Sequence, residues 1–130
     1  MLVVDTGLAL RAALADVEAV LAVPDDLVAP PLLWSEARSA LHEARWRGEI
    51  TDELAIQAHS RLGRLRIRPR SPTRLGSEAW RLADELGWAK TYDAEFVALA
   101  ALLSCRLVTI DARLRRGAER LGFVIGPAEL

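Results

Sequence analysis

The chain predicts an α/β fold, a parallel sheet wrapped by helices. Three observations support that expectation. Short β-rich runs alternate with long helical patterns along 130 residues. The runs "LVVD" (2–5) and "RLVTI" (106–110) are apolar almost throughout, as strands covered on both faces are. Both lead into an aspartate, Asp5 and Asp111, at the edge where open parallel sheets gather functional groups.

Each element has a local reason. After the first strand, residues 7–23 form one or two short helices. A second strand, "LVAP" (27–30), precedes a helix over 31–48 with Pro31 at its start and Gly48 at its end. The next helix opens with Thr51, Asp52 and Glu53, a cap followed by an acidic first turn. "LRIR" (65–68) alternates apolar and charged residues before Pro69, which predicts an edge strand with one wet face. Glycines bound a helix over 76–87, with Ser77 available as its cap. Residues 91–105 are apolar nearly all round, which predicts a buried helix. A helix over 111–122 and a strand "FVIG" (123–126) complete the series. No repeat or linker divides the chain, so one domain over 1–130 is expected.

Composition excludes several classes. With 52% hydrophobic and 27% charged residues, the chain is not of the disordered type. Cys105 is the only cysteine, which rules out an internal disulfide and a thiolate-cluster metal site; a buried, inert thiol is expected. No basic stretch precedes the apolar start, and the longest apolar run, 96–105, is too short to cross a membrane. A cytoplasmic protein is the expectation. A formal net charge of -1 excludes a polycation made to coat nucleic acid.

Carboxylates supply the functional signal. Asp5 and Asp111 emerge side by side if their strands are neighbours across a switch point. Glu36 lies in the first turns of the helix after strand two, beside the stripe Leu33, Ala37, Ala40, Leu41 and Ala44. Asp93 opens the apolar helix and shares a face with Phe96, Val97 and Ala100 by helical spacing. Taken singly, Asp5 reads as a turn former, Asp93 and Asp111 as helix caps, and Glu36 as a solvated first-turn acid. Convergence changes that reading. Two such charges about 5 Å apart repel by roughly 3 kcal/mol at an effective dielectric near 20. Protonation relieves such a cluster, and an oxygen-preferring cation, Mg²⁺ or Mn²⁺, relieves it better.

The segments "VVDTG", "LLWSEARSAL", "TYDAEFVALAALL" and "LVTIDARL", in that order and spacing, resemble the PIN-domain ribonucleases, and among them VapC-type toxins of bacterial toxin–antitoxin pairs. The similarity runs from residue 2 to about residue 125. The resemblance implies a doubly wound sheet ordered 3-2-1-4-5, cleavage of RNA dependent on Mg²⁺ or Mn²⁺, and inhibition by a VapB-like antitoxin. Its acidic quartet falls on Asp5, Glu36, Asp93 and Asp111, its hydroxyls on Thr6 and Thr109 as supports that orient carboxylates. Homodimerisation is also implied. Gly7 replaces a small polar residue of many relatives, and Ala112 to Arg115 replace a further acid.

Other residues have plainer readings. Arg113, Arg115 and Arg116 follow Asp111 and suit phosphate contacts, whereas Arg61, Arg64, Arg66, Arg68, Arg70 and Arg74 read as a solvated edge or as an RNA track. His42 and His59 lack partners at zinc-ligand spacing. Trp34, Trp46, Trp80 and Trp88 read as helix-packing residues or interface anchors, and Glu95 as solvated. Asp25 and Asp26 form a polar turn. Two alternatives stand beside the nuclease: a non-catalytic RNA- or protein-binding member of the same fold, and a phosphoryl-transfer domain. The second lacks the aspartate two residues after Asp5, where Gly7 stands, and a late lysine.

Overall fold

The computed structural model describes residues 1–15 and 23–130. Five short strands, β1 (Leu2–Val4), β2 (Leu27–Ala29), β3 (Ile67–Pro69), β4 (Arg106–Val108) and β5 (Val124–Ile125), form one sheet. Its order is β3-β2-β1-β4-β5, and every pairing is parallel. Helices α1 (Thr6–Ala15), α2 (Leu32–Trp46), α3 (Asp52–Leu62), α4 (Leu75–Leu86), α5 (Tyr92–Leu103) and α6 (Ala112–Ala118) connect them. The expected fold class and strand order are what the structure has.

Register aligns the functional edge. Leu2 pairs with Leu27 and Arg106, and Val4 pairs with Val108. Asp5, one residue past Val4, therefore comes level with Thr109, one residue past Val108. All strands being parallel, their carboxyl ends share this edge, and the helices that follow start from it.

The core explains why the strands are apolar. Leu2, Val3 and Val4 are all buried, as are Leu27, Val28 and Ala29. Leu33, Ala37 and Leu41 of α2 and Ala94 and Phe96 to Ala100 of α5 pack into the same cluster. α5 is buried as its all-round apolarity predicts. β3 exposes Arg68 and Pro69 at the sheet's edge, as expected of a wet strand.

Several boundaries differ. β3 starts two residues later than "LRIR", and β4 ends at Val108, although the Thr109 N–H still donates to the Ile125 carbonyl at 2.9 Å. Pro31 precedes the first turn of α2 as its cap residue. Thr51 caps α3, accepting from the Leu54 N–H at 3.1 Å. Ser77 does not cap α4: the helix starts at Leu75, and the Ser77 hydroxyl donates back to the Arg74 carbonyl at 3.1 Å. The expected helix over 7–23 is seen to Ala15, and its remainder up to residue 22 lies outside the described residues. Cys105 is partly exposed, since it follows the end of α5, and burial still pushes its thiol up. Among the described residues, no helix is long and apolar enough to cross a membrane.

Trp46 and Trp80 are 83% and 67% exposed, so neither packs a helix. Leu33, fully buried, is expected to differ sharply from them. Leu33→Ala should lose about 2–5 kcal/mol in urea unfolding, whereas Trp46→Ala should stay within about 0.5 kcal/mol.

Candidate active site

The site begins where β1 stops. Asp5 is 5% exposed, far more buried than a turn former needs to be. One carboxylate oxygen, Oδ1, accepts the Leu8 N–H at 2.9 Å in the first turn of α1. The other, Oδ2, accepts the Thr109 hydroxyl. Thr109, 2% exposed, also accepts the Asp111 N–H at 2.9 Å. One hydroxyl thus joins the end of β1 to the start of α6.

The remaining acids approach from separate elements. Glu36, half-buried on α2, accepts the Thr6 hydroxyl at 2.8 Å. Asp93 projects from the first turn of α5 and is exposed, although Phe96, Val97 and Ala100 on its helix face are buried. That face runs out of the core at the sheet's edge. Asp111 caps α6 through Oδ1, accepting from Arg113 N–H at 2.9 Å and Leu114 N–H at 3.2 Å. Capping and a place in the cleft are compatible, because Oδ2 is left free of those bonds.

All four acids line one small cleft of about 120 Å³, with Thr6, Gly7, Phe96 and Leu114 completing it. Gly7 has a steric reason to be there. A Cβ at this position would come within 3.3 Å of Ile110 Cγ1, where β1 turns into α1.

Electrostatics match the crowding. Burial raises the Asp5 carboxyl above its usual range; the Thr109 and Leu8 hydrogen bonds oppose that, and the Asp111 and Asp93 charges add to it. Burial likewise raises Glu36, where Thr6 opposes and Asp93 and Asp5 reinforce. Asp93 is raised by burial and then by Asp111, while Arg113 draws it down. Glu95, read as solvated, is half-buried, and its carboxyl is raised by burial and by Glu36. None of the four cleft acids forms an ion pair among the described residues.

Oxygen donors of this kind suit a hard divalent cation. As they stand, no three His, Cys, Asp or Glu side chains among the described residues are drawn tightly enough to grip one. The oxygen donors present are of the type such an ion takes.

The other expected residues separate. Arg113 lines a hollow next to the cleft. Arg115 is engaged by Glu129, and Arg116 is exposed. Arg61 donates to the Ala13 carbonyl at 3.0 Å, and Arg68 pairs with Asp26 at 3.7 Å, so that cluster is not a uniform track. His42 and His59 hydrogen-bond Arg45 and Arg38. Trp88, Lys90 and Tyr92, which sequence reasoning did not assign to the site, wall the hollow. Their one signal was position: the stretch 88–92 leads directly into Asp93.

A doubly wound parallel sheet with an acidic cleft at its switch point defines the class of protein. The PIN domain family profile matches residues 2–120, and the chain belongs to that family, with VapC-type relatives. It is 35% identical over 115 residues to VapC ribonuclease Mb0985 of Mycobacterium bovis, covering 88% of each chain. Ribonuclease VapC9 of Mycobacterium tuberculosis matches to the same extent, 35% over 115 residues and 88% of each chain.

The raised Asp5 carboxyl has a consequence for stability. A carboxyl with a raised folded pKa binds its proton more tightly in the native state. Its stabilisation is complete below the unfolded value, 3.8 for Asp5, and is lost as pH rises through the folded one. In EDTA, Asp5→Asn should therefore gain Tm relative to wild type as pH rises from about 4 to about 7. Calorimetry showing a flat or reversed difference would contradict the burial argument.

Proposed function

We propose that this chain is a divalent-cation-dependent endoribonuclease, the toxin of a type II toxin–antitoxin pair. One observation bears most of the weight: four carboxylates from four separate elements line one cleft, and none of them is ion-paired among the described residues. The similarity to VapC ribonucleases supports RNA as the substrate. The whole of 1–130 acts as one PIN domain in this reading.

Asp5, Asp93, Asp111 and Glu36 are the residues that would hold Mg²⁺ or Mn²⁺. When bound, the ion lowers the pKa of a water, orients the scissile phosphate and offsets its developing charge. The chain's own groups prepare the place. Thr109 and the Leu8 N–H fix both oxygens of Asp5, so this carboxylate cannot rotate away. Thr6 holds Glu36 toward the cleft. The α6 cap fixes Asp111 through one oxygen and leaves the other available. Such supports tune ligand orientation and basicity.

The same cleft suggests how the activity is restrained. Uncompensated acids attract an arginine, whose forked donors match a carboxylate. A basic segment of a VapB-like antitoxin is the proposed inhibitor. A homodimer acting on cellular RNA in the cytoplasm completes this reading.

Purified protein is expected to cleave RNA with Mg²⁺ or Mn²⁺ and to stop in EDTA. Asp5→Asn and Asp93→Asn should abolish cleavage while retaining a cooperative melt, and uncleaved RNA with wild type in either metal would reject the enzyme. Thr109→Val removes only a support, so cleavage should fall about 10- to 100-fold. Full activity in that variant would show that the hydroxyl does not position Asp5.

A further inference from the structure

A hollow of about 570 Å³ opens beside the acidic cleft and shares Glu36, Asp93 and Leu114 with it. Its size is that of a site for a small ligand or one unit of a polymer. Trp88, Lys90, Tyr92 and Arg113 form the other walls. Two aromatic rings and two cations stand here against the carboxylates next door.

The wall is built, and its parts are held. Gly87 takes the left-handed conformation, φ 73°, and ends α4. The Trp88 N–H then donates to the Ala83 carbonyl at 2.8 Å, which fixes where the indole departs. That indole lies across α6 at Gly117, where a Cβ would be 3.0 Å from both Cζ2 and Nε1. A glycine notch in a helix therefore seats the ring. Tyr92, by contrast, is 54% exposed at the start of α5, one residue before Asp93.

Two cations complete the wall. Lys90 is the only lysine of the chain and is exposed. Neither it nor Arg113 forms an ion pair among the described residues, although acids abound nearby. Solvation alone does not call for an open ring and two cations without ion pairs, among the described residues, around a hollow that runs into the cleft. A ligand with both a flat π-face and repeating negative charge uses all of them. An unpaired nucleotide is such a ligand.

We propose that the hollow is a nucleotide subsite: the base of an unpaired RNA residue next to the cleaved phosphate stacks on Tyr92 above the Trp88 floor, and Lys90 and Arg113 hold its phosphates. The proposal rests on the ribonuclease reading and adds where the strand lies and which side chains select it. Stacking tolerates every base, whereas the fixed floor sets how large a base is accepted. Paired RNA, its bases inside a duplex, is a poor substrate for this site.

The test separates the two ideas. Wild type in EDTA is titrated with single-stranded oligoribonucleotides that carry 2-aminopurine at successive positions, and Tyr92→Ala, Tyr92→Phe and Lys90→Gln are run alongside. Fluorescence should be quenched at one position. Tyr92→Ala should weaken Kd about tenfold, the order of one base stacked on a ring, and Tyr92→Phe should restore it to within about twofold. Lys90→Gln should reduce the slope of log K against log salt by about 0.7. In Mn²⁺, Tyr92→Ala should raise KM more than it lowers kcat. Equal Kd and KM for wild type and a folded Tyr92→Ala overturn the subsite while cleavage by wild type keeps the enzyme. Binding with quenching but no cleavage in either metal overturns the enzyme and keeps the subsite.

Discussion

The Thr109 hydroxyl connects the parts of this protein that matter most. It donates to Asp5 at the end of β1 and accepts from the Asp111 N–H at the start of α6. Its bond to Asp5 is buried and shielded from water, and its bond from Asp111 is partly so. Removing that atom would orphan a buried carboxylate oxygen and a helix-entry N–H together. The edge of the sheet is therefore organised by a side chain from one residue beyond the last paired residue of β4.

That connection also explains why a charge can end the most buried strand. Burial opposes ionisation of Asp5 and is the largest influence on it, ahead of the two hydrogen bonds that favour the anion. Asp111 and Asp93 push in the same direction as burial. The four acids differ in how much they suffer. Asp5 is enclosed, Glu36 is half-buried and steadied by Thr6, and Asp93 and Asp111 reach solvent. The cleft thus has an enclosed, doubly hydrogen-bonded carboxylate at its bottom and more exposed ones at its mouth. Arg113 moderates Asp93 from the rim without closing an ion pair.

The neighbouring hollow shows how a helix interior can serve a surface. Gly117 contributes nothing to α6 by propensity, since glycine weakens a helix interior. Its value lies in the space above it, which the Trp88 indole fills. The ring is thereby both a packing residue and a wall, and the tryptophans do not form one class. Trp88 and Trp34 are partly buried against the core, whereas Trp46 and Trp80 stand in solvent.

The sequence by itself determined the fold class and the list of acids. Apolar runs at 2–4 and 107–108, separated by helical periodicities, leave few arrangements other than a parallel sheet. An aspartate just beyond such a run must lie at the carboxyl edge, so Asp5 and Asp111 were legible from local pattern alone. Helical spacing placed Glu36 and Asp93 beside the same edge, and the resemblance added Thr6 and Thr109. Only tertiary structure decided what each group touches. The partners of Thr109 lie 104 residues back and two residues on, and no periodicity encodes that pair. Nor could one-dimensional pattern separate Arg113, which lines the hollow, from Arg115, which Glu129 engages from 14 residues away. Ser77 looked like a cap because its type was right, but the helix had already begun at Leu75. Local chemistry dictates which elements form; distances between side chains far apart in the chain exist only once those elements pack.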